Sequence, residues 1–571
     1  MSPALSALRA WLSEQRLDAF ILPRGDAYLG EYVATHDEML AWLTGFTGSA
    51  GFAVVTQSAA YLYTDGRYQT QGAAELKNSG FELRHSGRDK WDEELTAAQN
   101  SGANGFDPWL HSIEWQASAE KKLTAQNWKL IPAANPADAL WQNRPAPPTG
   151  LAEIHALKFA GESGGAKCER LGKKLAAQNA AAELVNDPTL TAWLLNLRGS
   201  DLPHTPIVQA RAILHASGSA ELFIAPEKIS ATVRAELGDH VTVRAPETLP
   251  DAIAALRGKT LRLPAAQTPY ALLQIAETAG AEMDTGPSVI VPARAIKNAT
   301  EQDGARTAHA RDGAALKDFF AELPALIQTG TTEFEIAARL AQHRTQQADY
   351  AGESFPAIVG WNGNGAIVHY RPPERSSAAI IGNGILLIDS GGQYRPGTTD
   401  VTRTVAVGAP TARQRDVYTR VLKGHLAIAR AQFPVGTTGG QLDALARQFL
   451  WEAGFDYDHG TGHGVGSFLN VHEGPQRITN RPDATALAPS MILSNEPGCY
   501  LPGEFGVRIE NLVMVVPAAQ KNLGKNFGAE FLCFETLTLA PYDTALIDPT
   551  LLTPTEAAQI AAYDARCENN S

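Results

Sequence analysis

Two acid-bearing segments constrain this chain more than anything else in it. The apolar run Ile385-Leu386-Leu387-Ile388 ends in Asp389, and about ten residues later, past a Pro396-Gly397 turn, comes Thr398-Thr399-Asp400-Val401-Thr402-Arg403-Thr404-Val405. The first reads as a buried strand. The second alternates, with Thr398, Asp400, Thr402 and Thr404 on the face opposite Val401 and Val405. Joined by so short a connection, the two are expected to pair as antiparallel strands, with both carboxylates near one another. A carboxylate ending an apolar strand is costly unless it is hydrogen-bonded or bound to a cation, and two such groups repel. Taken singly, each aspartate is as well read as a turn or strand-end acid. Taken together they call for a metal.

Further along lie HGTGHGVG at 459–466, VHEG at 471–474, NEPGCY at 495–500 and VRIEN at 507–511, with an isolated VHY at 368–370. In VRIEN, alternation puts Val507 and Ile509 on one face and Arg508 and Glu510 on the other. Glu496 precedes a Pro-Gly turn and supplies a fourth carboxylate. His459 and His463 have the spacing of a zincin helix, but Gly460, Gly462 and Gly464 disfavour a helix and no glutamate follows His459 directly. The glycines are expected instead to allow close backbone approach to a metal or substrate. His463 is the preferred ligand. His459, His472 and His369 are candidates for polarising a carbonyl or holding substrate. Four carboxylates and one imidazole suit a pair of Mn2+, Co2+ or Zn2+ ions, and such a pair activates water and clamps the attacked group. Ser354, in GESFP, lacks the G-x-S-x-G frame of a serine nucleophile. The expected chemistry is two-metal hydrolysis.

At 571 residues the chain should divide into three or four domains. Residues 1–85 alternate helix and strand, which indicates an α/β domain, and the Pro-rich stretch 132–148 reads as a linker or domain edge. Beyond it the pattern partly repeats. Ala41-Trp42-Leu43 followed by Gly48-Ser49 recurs as Ala192-Trp193-Leu194 followed by Gly199-Ser200, and YLYTDGRY at 61–68 has a counterpart in ELFIAPEKI at 221–229. Two related α/β modules, 1–150 and 151–295, are therefore expected. Neither carries a GxGxxG after a strand, so a nucleotide role is not expected. Residues 296–515 mix helices with short strands, as in an α+β domain with helices backed on one curved antiparallel sheet. Residues 516–571 form a C-terminal extension whose polar end, Glu568 to Ser571, is expected to fray.

Cys168, Cys499, Cys533 and Cys567 form no CxxC pair and read as reduced thiols. A net charge of −13 disfavours nucleic acid as a partner. No apolar run reaches the ~18–20 residues a membrane span needs. Leu5, Leu8 and Leu12 share a helical face that Arg9, Glu14 and Arg16 interrupt, so a secretory core is lacking and a cytoplasmic protein is expected.

With Asp389, Asp400, His463, Glu496 and Glu510 in that order and in those contexts, the sequence resembles the pita-bread metallopeptidases, in the long three-domain aminopeptidase P (Xaa-Pro aminopeptidase) branch. DSGGQYRPGTTDVTRT is similar to the family's two-aspartate hairpin, HGTGHGVGSFLNVHEGP to its histidine loop, NEPGCYLPGEFGVRIEN to its two-glutamate segment. EMLAWLTGFTGSAG with TDGRY, and later AWLLNLRGSD, resemble paired creatinase-like N-terminal domains. The resemblance implies two divalent ions, Mn2+ foremost, held by Asp389, Asp400, His463, Glu496 and Glu510, with Asp400 and Glu510 bridging. It implies attack of a bridging hydroxide on the Xaa–Pro carbonyl. Glu496 would carry the proton, His472 would steady the oxyanion, and His369 and His459 would line the substrate pocket. Arg508 would fix Glu510 as an outer partner. A homodimer is also implied. Prolidase, an Xaa-Pro dipeptidase, shares the ligands but not the doubled N-terminal module. A non-catalytic peptide-binding protein on the same fold would show lost ligands, and none is lost.

Overall fold

The computed structural model describes residues 2–97, 101–518 and 530–569, so Asn570 and Ser571, the end of the tail expected to fray, lie outside the described residues. The chain divides into two units, Met1–His155 with Glu162–Ile290, and Ala156–Gly161 with Val291–Ser571.

The first unit holds two six-stranded sheets. One is made of Ala19–Pro23, Phe52–Thr56, Ala60–Thr64, Glu82–His85, Gly102–Phe106 and Trp128–Pro132. The other is made of Ala182–Val185, Arg211–His215, Ala220–Phe223, Val241–Arg244, Thr260–Arg262 and Glu282–Asp284. Counted in chain order, both sheets run fourth, third, second, first, fifth, sixth. Corresponding pairs also share direction, the first three strands antiparallel and the outer pairs parallel. The weak sequence repeat therefore marks a repeat of topology. Its first element lies in helix Met39–Thr44 of one module and Pro188–Leu195 of the other, each between first and second strands, where Leu43 and Leu194 are fully buried. Its second element is the third strand running into a 3-10 turn, Gly66–Tyr68 or Pro226–Lys228.

The Pro-rich stretch is less of a linker than its composition implies. Asn135 caps the short helix Pro136–Leu140, Ala137 is buried in the first module's core, and Trp141 stacks on Trp42 with ring centroids 5.7 Å apart. Proline at the first helical position is compatible with a helix start, and here the apolar neighbours give that helix something to pack on.

In the second unit the helix Ala299–Thr329 starts from a capping box of Asn298 and Glu301 and is followed by Glu333–Thr345, Ala412–Ala429, Gly439–Trp451 and Pro554–Glu568. The strands fall into two main antiparallel ladders. Three strands, Ile358–Trp361, Gly384–Ser390 and Val401–Val407, form one. Six form the other, in the order Gln432–Pro434, Phe531–Thr536, Asn511–Pro517, Ile492–Asn495, Gly462–Gly464, Glu473–Ile478. The hairpin Gly498–Leu501 with Phe505–Arg508 adjoins them. Where Glu510 crosses from that hairpin into the six-stranded ladder, its N–H donates to the carbonyl of Thr402 at 3.1 Å, stitching the two ladders together. Helices thus back antiparallel strands, as expected.

The connection between Asp389 and Asp400 is held from behind. Gly304, in the long helix, lies so close to Pro396 that a Cβ would sit 2.3 Å from the Pro396 carbonyl oxygen, so only glycine lets the helix meet the turn. Two turns on, Asp312 accepts from Tyr394 Oη at 2.9 Å and from Arg344 Nε at 2.7 Å, all three buried. Removing the anion would leave the Arg344 guanidinium buried and uncompensated. Asp312→Ala is expected to destabilise the chain by roughly 3–5 kcal/mol, read as a fall in the thermal unfolding midpoint. An unchanged midpoint would contradict this role.

Candidate metal centre

Strands Gly384–Ser390 and Val401–Val407 pair in the register Asp389 with Thr402 and Ser390 with Val401, so Asp400 stands one residue beyond the ladder. The expected polar face is present. Thr402 Oγ1 donates to Glu510 Oε2 at 2.8 Å, and Thr404 Oγ1 to the Arg508 carbonyl at 3.0 Å. On the opposite side of VRIEN, Val507 and Ile509 enter an apolar cluster with Ile385, Val417 and Leu422. Asp389, Asp400 and Glu510 are all buried, at 7%, 4% and 1% exposure.

His463 sits on Gly462–Gly464, between Glu473–Ile478 and Ile492–Asn495. Its Nδ1 is 2.9 Å from the Gly464 carbonyl oxygen. A carbonyl only accepts, so Nδ1 carries a proton and Nε2 is the ligating nitrogen. That Nε2 lies 3.5 Å from Asp400 Oδ2 and 3.4 Å from Glu496 Oε1. Glu496 is half-buried at the end of Ile492–Asn495, and Ser494 Oγ donates to its Oε1 at 3.0 Å while accepting from the His463 N–H at 2.9 Å. Asp400, His463 and Glu510 each offer one ligand atom, all within 4.8 Å of one another.

The electrostatics fit a cation. Burial raises the Asp389 carboxyl to about 6, with Arg508 opposing the rise and Asp400 and Glu496 adding to it. Burial, together with Asp400, Glu496 and Asp389, pushes Glu510 well above the usual carboxylate range. Burial works against a charged His463, yet its hydrogen bond to Asp400 and the charge of Glu496 prevail and raise it to about 9. Asp389 Oδ1 and Asp400 Oδ1 are buried and lack a hydrogen-bond partner among the described residues. Unpaired acceptor atoms on crowded anions are what a divalent cation satisfies.

Arg508 holds a different carboxylate from the one the resemblance implies. Its Nη2 donates to Asp389 Oδ2 at 2.5 Å, its Nη1 to Tyr500 Oη at 2.7 Å and its Nε to Thr402 Oγ1 at 3.2 Å. Glu510, on the same face of the chain, is held by Thr402 instead, and the longer guanidinium reaches across to the neighbouring strand. The histidine-loop glycines also serve a different end. A Cβ on Gly462 would meet the Ser494 carbonyl oxygen at 2.0 Å and one on Gly464 that of Glu473 at 2.0 Å, so they admit the flanking strands.

His459 is half-buried and uses both ring nitrogens internally. Nδ1 lies 2.7 Å from the Gly460 carbonyl oxygen and Nε2 lies 2.9 Å from Tyr500 Oη. Because Arg508 already donates to that hydroxyl, its own proton goes to Nε2, which fixes the tautomer with hydrogen on Nδ1. Burial lowers the ring to about 4, so it is neutral. His472 is half-buried with its ring edge-on to His463, centroids 4.3 Å apart. His369 lies half-buried on the turn after the 3-10 helix Asn362–Ala366. Buried Glu333 holds that turn by accepting from Trp361 N, Asn364 Nδ2, Tyr370 Oη and Ala378 N. Tyr500, Ser494 and Glu333 went unnoticed in the sequence. Tyr500 stands in NEPGCY itself, but nothing local distinguishes a tyrosine that ties two functional segments from one that packs.

These shifts act on stability in one direction. With Asp389 raised to about 6 from 3.8, its contribution is full below 3.8 and is lost as pH rises through about 6. With His463 raised to about 9 from 6.5, its contribution is full below 6.5 and is lost as pH rises through about 9. Chelator-treated protein is therefore expected to lose thermal stability as pH climbs through this range, more steeply than protein supplied with a divalent ion, and Asp389→Asn should flatten the acidic part. Parallel curves with and without the ion in a thermal-shift series would contradict the assignment.

Residues 303–517 match the description of metallopeptidase family M24. Residues 5–140 and 143–301 each match the creatinase/prolidase N-terminal domain, and 530–570 match the C-terminal region of peptidase M24. A protein of Fusarium vanettenii described as a probable Xaa-Pro aminopeptidase P is 41% identical over 98% of this chain and 94% of its own. The crystal structure of X-prolyl aminopeptidase from Caenorhabditis elegans, described as a cytosolic enzyme with a di-nuclear active site, is similar with a TM-score of 0.94, 33% identity, and coverage of 99% of this chain and 95% of that one. Prolidase from Pyrococcus furiosus shares the fold over 64% of this chain and 99% of its own, at a TM-score of 0.51 and 23% identity. The chain belongs to metallopeptidase family M24.

Proposed function

We propose that this chain is a metal-dependent aminopeptidase that removes the N-terminal residue from peptides with proline in second position. The observation that carries the metal chemistry is the convergence of Asp400, His463 and Glu510, with Asp389 Oδ1 and Asp400 Oδ1 buried and left unpartnered among the described residues. The preference for proline is supported by relatives described as Xaa-Pro aminopeptidase P, which match along nearly the whole chain, including both N-terminal modules.

Asp389, Asp400, His463, Glu496 and Glu510 would hold two divalent ions, manganese foremost, with zinc or cobalt as alternatives. Such ions supply a nucleophile by lowering the pKa of water and polarise the scissile carbonyl. Arg508 orients Asp389, and Thr402 orients Glu510. Glu496, oriented by Ser494, takes the proton of the attacking water and passes it to the departing proline nitrogen, a role of the kind worth about 10²–10⁴ in rate. His472 donates to the developing oxyanion, and His369 and His459 line the substrate pocket.

The same proposal takes the domains to be 1–150, 151–295, 296–515 and 516–571, and the enzyme to be a cytosolic homodimer that binds neither nucleic acid nor membrane. The likeness to the Caenorhabditis elegans protein, itself described as cytosolic, supports the location, and among the described residues no helix is long and apolar enough to cross a membrane.

Hydrolysis of an Xaa-Pro-Yaa tripeptide and of its Xaa-Pro dipeptide, each with chelator and with added Mn2+, Co2+ or Zn2+, tests this directly. Metal-dependent release of the first residue from the tripeptide is expected, with Asp400→Ala inactive. Cleavage confined to the dipeptide would reassign the chain as a prolidase, and no cleavage of either would overturn the reading.

A further inference from the structure

One group of buried charges belongs to no step of that chemistry. Glu473 opens the strand Glu473–Ile478, and its side chain is fully buried. Lys297 Nζ donates to its Oε1 at 2.5 Å, and Arg294 Nε lies 3.3 Å from its Oε2, with both cations almost wholly buried. Lys297 is itself fixed. Its Nζ also donates to the Arg294 carbonyl at 3.2 Å, its N–H to Ser490 O at 3.2 Å, and its carbonyl accepts from Gln302 Nε2 at 2.8 Å. Two residues later the long helix begins.

Burying one carboxylate with two cations is costly in desolvation and gives a poor return in stability compared with apolar packing. A function for it lies one residue away. Glu473 is the immediate successor of His472, which stands in the bend just before the strand. Glu473 is held in the buried ion cluster, while the His472 ring stands 4.3 Å from that of His463. The loop before it is already tied where Gly466 N–H donates to Asn470 O at 2.9 Å and Gln393 Nε2 donates to Leu469 O at 2.7 Å. Its far end depends on Glu473, whose carbonyl also packs so tightly on Gly464 that no side chain fits there.

We propose that Lys297, with Arg294, clamps Glu473 so as to position His472 against the metal centre, making Lys297 and Glu473 positioning residues for the oxyanion donor. The link to catalysis follows from the role proposed for His472. The link to loop order stands without it.

The test is a double-mutant cycle with a second, activity-free readout. In the wild-type background Lys297→Met is expected to lower kcat on the order of 10–100-fold, because small displacements of a catalytic group cost that much, with KM changing less than about threefold. In a His472→Ala background the same substitution should change kcat by less than about twofold, the mark of two residues acting through one group. Equal losses in both backgrounds, or no loss in the first, would overturn the proposal, since a staple of the fold alone acts equally with or without His472. Amide hydrogen exchange in the peptide 467–473 should rise in Lys297→Met, and unchanged exchange there would also overturn it. Should Lys297→Met fail to fold, Glu473→Gln, which keeps the shape and removes the charge, carries the same cycle. If the wild type proves inactive on Xaa-Pro peptides, the functional reading fails while the exchange experiment still decides the clamp.

Discussion

Mutual repulsion of carboxylates held away from water is the constraint around which the second unit is built. Asp389, Asp400 and Glu510 are buried within reach of one another, and the guanidinium beside them, Arg508, is committed to Asp389. Without a cation such a site favours protons: burial and crowding raise Asp389 and Glu510, and the neighbouring carboxylates raise His463. The groups close by resist the relaxation that would let the acids drift apart. Thr402 grips Glu510, Ser494 ties Glu496 to the backbone of His463, and the turn between the aspartates is braced by Asp312 and Gly304. This is preorganisation for a divalent ion, with the cost carried by the surrounding packing.

The ligands are drawn from distant parts of the chain, yet the frame makes their meeting unavoidable. A three-stranded ladder delivers the aspartates, a six-stranded ladder delivers His463 and Glu496, and the crossing between hairpin and ladder delivers Glu510. Placing acids where two ladders meet leaves their side chains off the regular hydrogen-bond grid, so lone pairs point into the site while the backbones stay satisfied.

Much of this was legible beforehand because it is local. Period-two alternation in TTDVTRTV and VRIEN fixes which residues share a face whatever packs against them, and the structure has Thr402, Thr404, Arg508 and Glu510 on that face. The repeat in the first unit was readable for a similar reason, since its two markers sit at buried helix and strand-end positions where the topology repeats. What escaped depends on neighbours distant in sequence. Whether Arg508 meets Glu510 or Asp389 is decided by which strand lies opposite. Whether Gly462 admits a ligand or the Ser494 carbonyl is decided by sheet order. Composition marked 132–148 as a linker or domain edge, and an edge does fall there, but Ala137 and Trp141 found an apolar surface to cover. The coupling of His459 through Tyr500 to Arg508 had no local signal at all.

Calorimetric titration of chelator-treated protein with Mn2+ decides whether this cluster of acids and one imidazole binds divalent cations in pairs. Saturation at about two ions per chain is expected, with proton release as the raised groups ionise, and loss of that stoichiometry in Asp400→Ala. Saturation near zero, or binding that survives the substitution unchanged, would contradict paired binding at this cluster.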